Sequence, residues 1–423
     1  MRVGCEKLTK AGGKLPRQFL NFMNDDFPRL LVATEFPPNG GGGGAAIARQ
    51  MLKGWPVEKL FWWSCSAEVD TCFGQKVAAH SSAQIPQKLY PHRRWREQKG
   101  WLLEQVWTPW AARHFRQTAA AFQPEVIWHI PHAWSIPPLA RVLPTIPAGV
   151  HVSLHDYMDI DAYITRFGRD RCQRLARLAD QVYASATTRD AIGQAMLADL
   201  QQRTGQTGRV IRAGLEAADF DFLNTPPAPK PDGVRIAYAG SIQVESVFPV
   251  FIAALNKIRP QLPAPVSLEF YGTGNYHERA WFDPAWMTGH GNLPLPQLAA
   301  ALKQCTWGFA PMDLTDGDPR YNRFSLPTKF ISYLAAGLPI ITLGHPESSV
   351  VKMATAHAVG ICLTTADESE LAAQLLATLG QPGPGAKFRA AIQHCAATEF
   401  DAVNMRETLH QCLQQCARQR PRP

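Results

Sequence analysis

Lys329 lies in the stretch FSLPTKFISYLAAGLPII, Phe324 to Ile341, whose neighbouring residues prepare an anion site. Pro327 suits the first turn of a helix, because N–H groups there have no intrahelical partner. Lys329 then falls in that turn beside free backbone donors. Phe330, Tyr333 and Leu334 recur at helical spacing and give the helix an apolar side. Gly337 and Pro339 end it, and LPIITLG reads as a buried strand. A cationic side chain and free N–H groups at the end of an α/β sheet hold anions. The expected ligand is the phosphate of a nucleotide or of a nucleotide-activated group.

Other candidates sit where strands should end. Arg29 to Phe36 reads as a first strand, followed by Gly40 to Gly44 and an Ala-rich helix. Such a loop, with Gly42 and Gly43 at its centre, brings backbone close to a ligand at a helix N-terminus, or serves as a flexible hinge. No Walker Lys-Ser/Thr pair follows it. The strand Pro124–Ile130 runs into His132, and Gly149–Leu154 runs into His155-Asp156-Tyr157. Ligands of doubly wound sheets collect outside such ends. Further strands are read at Lys59–Ser64, Arg235–Gly240, Val266–Gly274 and Trp307–Met312. After the strand that follows Lys329, Gly344–Ser349 supplies small polar residues, with Glu347 and Ser348 as candidates for the phosphate or sugar side of a pocket. Asp313, Asp316 and Asp318 cluster in a Gly-Pro-punctuated segment, which a turn explains as readily as a metal. Tyr90–Trp110 is basic and aromatic. It is either a helix packing one face on a sheet with its arginines reaching out, or a surface for a membrane interface or an anionic polymer.

The segment PTKFISYLAAGLPI resembles the nucleotide-sugar-binding segment of retaining glycosyltransferases with two Rossmann-like domains (GT-B fold), the family-4-like group 1 enzymes, many of which read P-x-K-x-x-E-Y-[LM]-A-x-G-x-P-V there. The resemblance extends more weakly over residues 30–418. Ser332 stands where the family has Glu, and Phe324 replaces the other acid of its E-x7-E pattern. Gly240-Ser241 replaces a Gly-Arg whose cation contacts the diphosphate, with Arg320, Arg323 and Lys329 left to supply the positive field. VSLEFYGTG, with Gly272, resembles the family's strand ending in Gly-x-Gly, and His290 falls where the family contacts the nucleobase. His155 falls where many members place a histidine near the transferred sugar, with Asp156 as its orienter. Ala179–Ser185 followed by TTRDAIGQAML resembles an "alanine-aspartate, strand, serine, then helix" block, which would put a helix after Thr187.

The resemblance implies an α/β chain with an extension (1–29), an acceptor-side domain (30–224), a linker (225–233), a nucleotide-sugar domain (234–399) and a crossover helix with tail (400–423) returning to the first domain. It implies metal-independent transfer of a sugar from a nucleotide diphosphate sugar, with UDP- or GDP-sugars as the expected donors. Configuration would be retained, with Lys329 and His155 in the chemistry. The acceptor would be a glycan, a lipid-linked group or a small molecule. The missing acids and cation favour an alternative: a catalytically altered protein of the same fold that binds or scaffolds in glycan assembly.

Composition agrees. The 423 residues are 46% hydrophobic, enough for two cores, and only 18% charged. A net charge of +8 suits anionic partners without choosing among them. Nucleic acid is not expected, because the positive residues are spread over an enzyme-like α/β pattern. Nine cysteines without a C-x-x-C pair or a zinc pattern read as structural thiols. The polar N-terminus has no apolar run, and no stretch approaches the roughly 20 apolar residues of a membrane span, so a cytoplasmic protein is expected, open to peripheral membrane contact.

Overall fold

The computed structural model describes residues 27–40, 43–67, 78–90, 94–220, 233–381 and 384–420. The expected N-terminal extension up to residue 26, nearly all of the expected linker and Gly42 lie outside them. Two parallel sheets carry the chain. The first holds β1 (Leu30–Thr34), β2 (Leu60–Ser64), β3 (Ala79–Ser82), β4 (Val126–His129), β5 (Gly149–Leu154), β6 (Thr188–Ala191) and β7 (Arg209–Val210), in the order β3-β2-β1-β4-β5-β6-β7. The second holds β8 (Val234–Ala239), β9 (Val266–Tyr271), β10 (Met287–Gly289), β11 (Trp307–Pro311), β12 (Ile340–Leu343) and β13 (Gly360–Leu363), in the order β10-β9-β8-β11-β12-β13. Their central strands are continuous apolar runs, as LLVAT of β1 and WGFAP of β11, because helices cover both faces.

The block after Asp161 differs from its sequence reading. Gly168, at φ +89°, separates the helices Asp161–Phe167 and Arg169–Ser185, and the second runs through Val182 and Tyr183, where the resemblance implies a strand. Cys172, Leu175, Ala179 and Val182 recur three to four apart and, with Tyr183, are all buried, so the helical face outcompetes a strand there. Thr188 and Asp190 form β6 instead of a helix start, because each finds His151 on β5, at 2.8 Å from Nδ1 and 2.8 Å from Nε2 respectively. The next helix begins only at Gln194. Strands β3 and β10 are short and lie in segments with no alternation to mark them.

The helix Ala402–Arg418 crosses back and packs on β4, β5 and β6. Leu409, Cys412, Leu413 and Cys416 join Leu30, Val32 and Trp128 in one core. The approach is close: a Cβ on Gly149 would stand 2.4 Å from the Cys416 carbonyl oxygen. Among the described residues the seven cysteines are free thiols. No described helix is long and apolar enough to cross a membrane.

Candidate functional site

The carboxyl ends of both sheets open on a common cleft of about 870 Å³. Glu35 follows β1, Ser66 follows β2, Ile130–His132 follows β4 and His155-Asp156 follows β5; Ala239–Ser241 and Ser325–Lys329 face them from the second domain. Across one edge the domains touch. Asp318 accepts the Asp161 N–H at 2.7 Å, and the Arg320 guanidinium donates to Asp159 at 2.6 Å while lying over the Tyr157 ring.

The first-domain wall is a connected polar network. Glu35 is buried, pairs with Nδ1 of His132 and accepts the Tyr90 hydroxyl at 3.2 Å. Nε2 of His132 lies 2.7 Å from the Tyr163 hydroxyl. Burial works against a charge on His132, but the Glu35 carboxylate and its hydrogen bond outweigh it and raise the imidazole pKa. His155 has the opposite fate: burial lowers it to about 4, so the ring is neutral, and its Nδ1 has no hydrogen-bond partner among the described residues. Burial pushes Asp156 up to about 6, against the pull of His132. The Arg166 guanidinium covers the Tyr90 ring at 4.7 Å.

The second-domain wall holds a cation without a counter-ion. Nζ of Lys329 lies 4.1 Å from the centre of the Tyr238 ring and donates to its hydroxyl at 2.9 Å. That hydroxyl donates on to the Ser241 carbonyl at 2.7 Å. No carboxylate among the described residues pairs with Lys329, and burial lowers its pKa to about 7. Its helix, Thr328–Ala335, starts after Pro327 without a side-chain cap, so its first N–H groups stay available to a ligand. Gly240 ends β8 at φ +104°, a turn an L-residue rarely makes, with its N–H bonded to Tyr271 O at 2.7 Å and the Tyr276 hydroxyl donating to its carbonyl. Across the cleft, a Cβ built on Gly43 would stand 3.8 Å from the Thr328 methyl.

Of the residues singled out in the sequence, Gly43, His132, His155, Gly240, Ser241 and Lys329 line this cleft together. Gly272, His290, Arg323, Ser332, Glu347 and Ser348 do not. Gly272 (φ +139°) and His290 end β9 and β10 on the same carboxyl edge as Gly240. His290 stacks on Tyr271 at 4.7 Å, with Nε2 2.7 Å from Glu269. Arg323 donates to Asp316 at 2.7 Å, the Ser332 hydroxyl to Thr328 O at 3.3 Å, and Lys352 to Glu347 at 2.6 Å. Ser348 is buried and caps the Val351 N–H. The acidic segment is spent on its own turn: Asp313 accepts from Thr315, and Asp318 caps Tyr321. Among the described residues no cluster of His, Cys, Asp and Glu is arranged to hold a metal ion. Glu35, Tyr163 and Tyr238 are lining or supporting groups that sequence reasoning missed. Glu35 carried the same signal as His132, a polar residue just past a buried strand.

No family model matches the chain, and no characterised protein matches it by sequence. Solved structures match it by shape. Sucrose-phosphate synthase from Thermosynechococcus elongatus superposes with a TM-score of 0.64 at 14% identity, covering 91% of this chain and 98% of that one. The UDP-forming α,α-trehalose-phosphate synthase from Burkholderia xenovorans, in complex with glucose-6-phosphate, gives 0.63 at 11%, covering 91% and 100%. WaaG, a glycosyltransferase involved in lipopolysaccharide biosynthesis, gives 0.60 at 11%, covering 91% and 99%. The fold is therefore GT-B: two Rossmann-like domains facing across a cleft.

Proposed function

We propose that the cleft binds a nucleoside diphosphate sugar and transfers its sugar, with retention of configuration, to a hydroxyl-bearing acceptor. The observation that carries this reading is Lys329: a half-buried cation with no counter-ion among the described residues, steered by Tyr238 to the start of an uncapped helix, at the carboxyl edge of a nucleotide-type sheet. A diphosphate supplies the missing negative charge. Lys329 and the N–H groups of its helix would then stabilise the phosphate as the sugar–phosphate bond breaks. The incoming hydroxyl bonds to the anomeric carbon on the same face and gives its proton to the departing phosphate oxygen. Neutral His155, with an unpaired Nδ1, is suited to hydrogen-bond a sugar hydroxyl or the charge that develops there.

The charge around Lys329 supports a second reading, binding without turnover. Arg323, the expected helper, faces Asp316 instead of the cleft, and Ser241 brings no cation. Calorimetry with UDP, GDP, ADP and TDP, on the parent and on Lys329→Ala, tests the shared part. Tight binding of one diphosphate, lost in the variant, is the expected result; binding of none removes the donor pocket. Turnover of the matching sugar nucleotide, with the anomeric configuration of the product read by NMR, separates the two readings.

A further inference from the structure

Trp95, Trp101, Val106 and Trp110 leave 59%, 58%, 63% and 49% of their surface exposed. The last three lie on one continuous rod: the helix Arg96–Leu102, a π-helical turn Leu103–Trp107 and the helix Thr108–Phe122, with Trp95 at its entry. The rod's inner face is already filled by Leu103, Trp107, Ala111 and Phe115 in the first-domain core. A buried Arg171 clamps it from below, pairing with Glu104 at 2.9 Å and Glu97 at 3.2 Å. A Cβ on Gly100 would meet that guanidinium at 2.2 Å, so the glycine lets the rod seat on it. The tryptophans therefore point out of a rigid, fully packed element. The π turn closes i→i+5, so a five-residue step from Trp101 to Val106 replaces the usual four and keeps both, with Trp110 one turn on, along one outward line.

The charge on this face is one-sided. Arg94, Lys99, Arg113 and Arg116 make no ion pair among the described residues. The rod's two acids are both held by arginines: Glu97 by Arg96 and Arg171, and Glu104 by Arg171 and Arg174. Tryptophan interleaved with unpaired cations on a flat helical face matches the interface of an anionic bilayer, apolar below and negative above. We infer that this face docks on an anionic lipid surface. The face adjoins the cleft: Arg96 donates to Thr165 O at 3.2 Å, two residues beyond the cleft-lining Tyr163. Docking would hold the first-domain wall near the membrane. The inference stands whatever the cleft binds.

The test is flotation of the full chain with vesicles of phosphatidylcholine alone and of phosphatidylcholine with an equal part of phosphatidylglycerol. Binding to the mixed vesicles, weakened by salt and weak on the neutral ones, is expected. Trp101→Ser with Trp110→Ser, and separately Arg113→Gln with Arg116→Gln, should each lower the partition by about tenfold or more. Melting temperature and diphosphate binding should not change, since these side chains are exposed and outside the cleft. Failure to bind either vesicle overturns the proposal, as does binding that neither double variant reduces. So does a dimer in sedimentation velocity that the tryptophan variant dissolves, which would assign the face to a second copy of the chain.

Discussion

On the first-domain side of the cleft, Glu35, His132, Tyr90 and Tyr163 form a connected set, Glu35 with His132 and Tyr90, and His132 with Tyr163. On the second-domain side, Lys329 has a phenol where a carboxylate would neutralise it. A wall of mutually satisfied hydrogen bonds is pre-shaped and reads neutral hydroxyls by geometry. A wall with one uncompensated cation waits for an anion and changes its protonation when one arrives. The two domains share a sheet architecture, and their cleft walls differ in where charge is left open.

Removing the open charge should have the largest effect. Lys329→Ala is expected to abolish diphosphate binding in the calorimeter and to lower any turnover by about 10²- to 10³-fold. Because burial holds Lys329 near 7 and a bound diphosphate favours its charged form, affinity in the parent should fall as pH rises above 7. The limiting slope is about tenfold per pH unit, with a proton taken up on binding near pH 8. The variant should lose that slope.

His155→Ala comes next. It should cost about a hundredfold in turnover and leave diphosphate affinity nearly unchanged, since the ring lies on the wall opposite Lys329 and, in the proposed reading, serves the sugar. Glu35→Gln breaks the closed network without touching the cation. His132 should then titrate at lower pH in an NMR experiment, because the carboxylate that raises it is gone, while diphosphate binding persists. An effect of Glu35→Gln on diphosphate affinity as large as that of Lys329→Ala would dissolve the distinction between the walls. Arg320→Ala, which cuts the ion pair to Asp159 at the domain edge, should be smallest: a partly exposed pair contributes less than about 1 kcal/mol, so diphosphate affinity should shift by less than about fivefold.

Much of the architecture was legible because buried parallel strands are continuous apolar runs and glycines mark their ends. The register of PTKFISYLAAGLPI led to Lys329 and its helix. What stayed hidden depended on contacts distant in sequence. Thr188 and Asp190 look like a helix start until His151 is placed beside them on β5. The contact of Arg323 with Asp316, seven residues before it, is likewise not readable from the sequence. Tyr238 looks like an ordinary strand residue, and only its ring under Lys329, from a segment far along the chain, gives it a role. The basic aromatic stretch divides in a way its sequence does not mark: Trp107 is packed inside, and Trp101 and Trp110 face out.

The seating of the Ala402–Arg418 helix on β5 fixes an order of events during biosynthesis. Leu30, Val32 and Trp128 on the first sheet are covered by Leu409, Leu413 and Cys416, residues made long after them. At roughly 5–20 residues per second, the stretch between Val210 and Ala402 takes on the order of ten to forty seconds to translate. Throughout that interval this face of the first sheet has only part of its cover, from Ala48, Met51, Leu52 and Trp55. The second domain, whose core needs nothing from this helix, can close first.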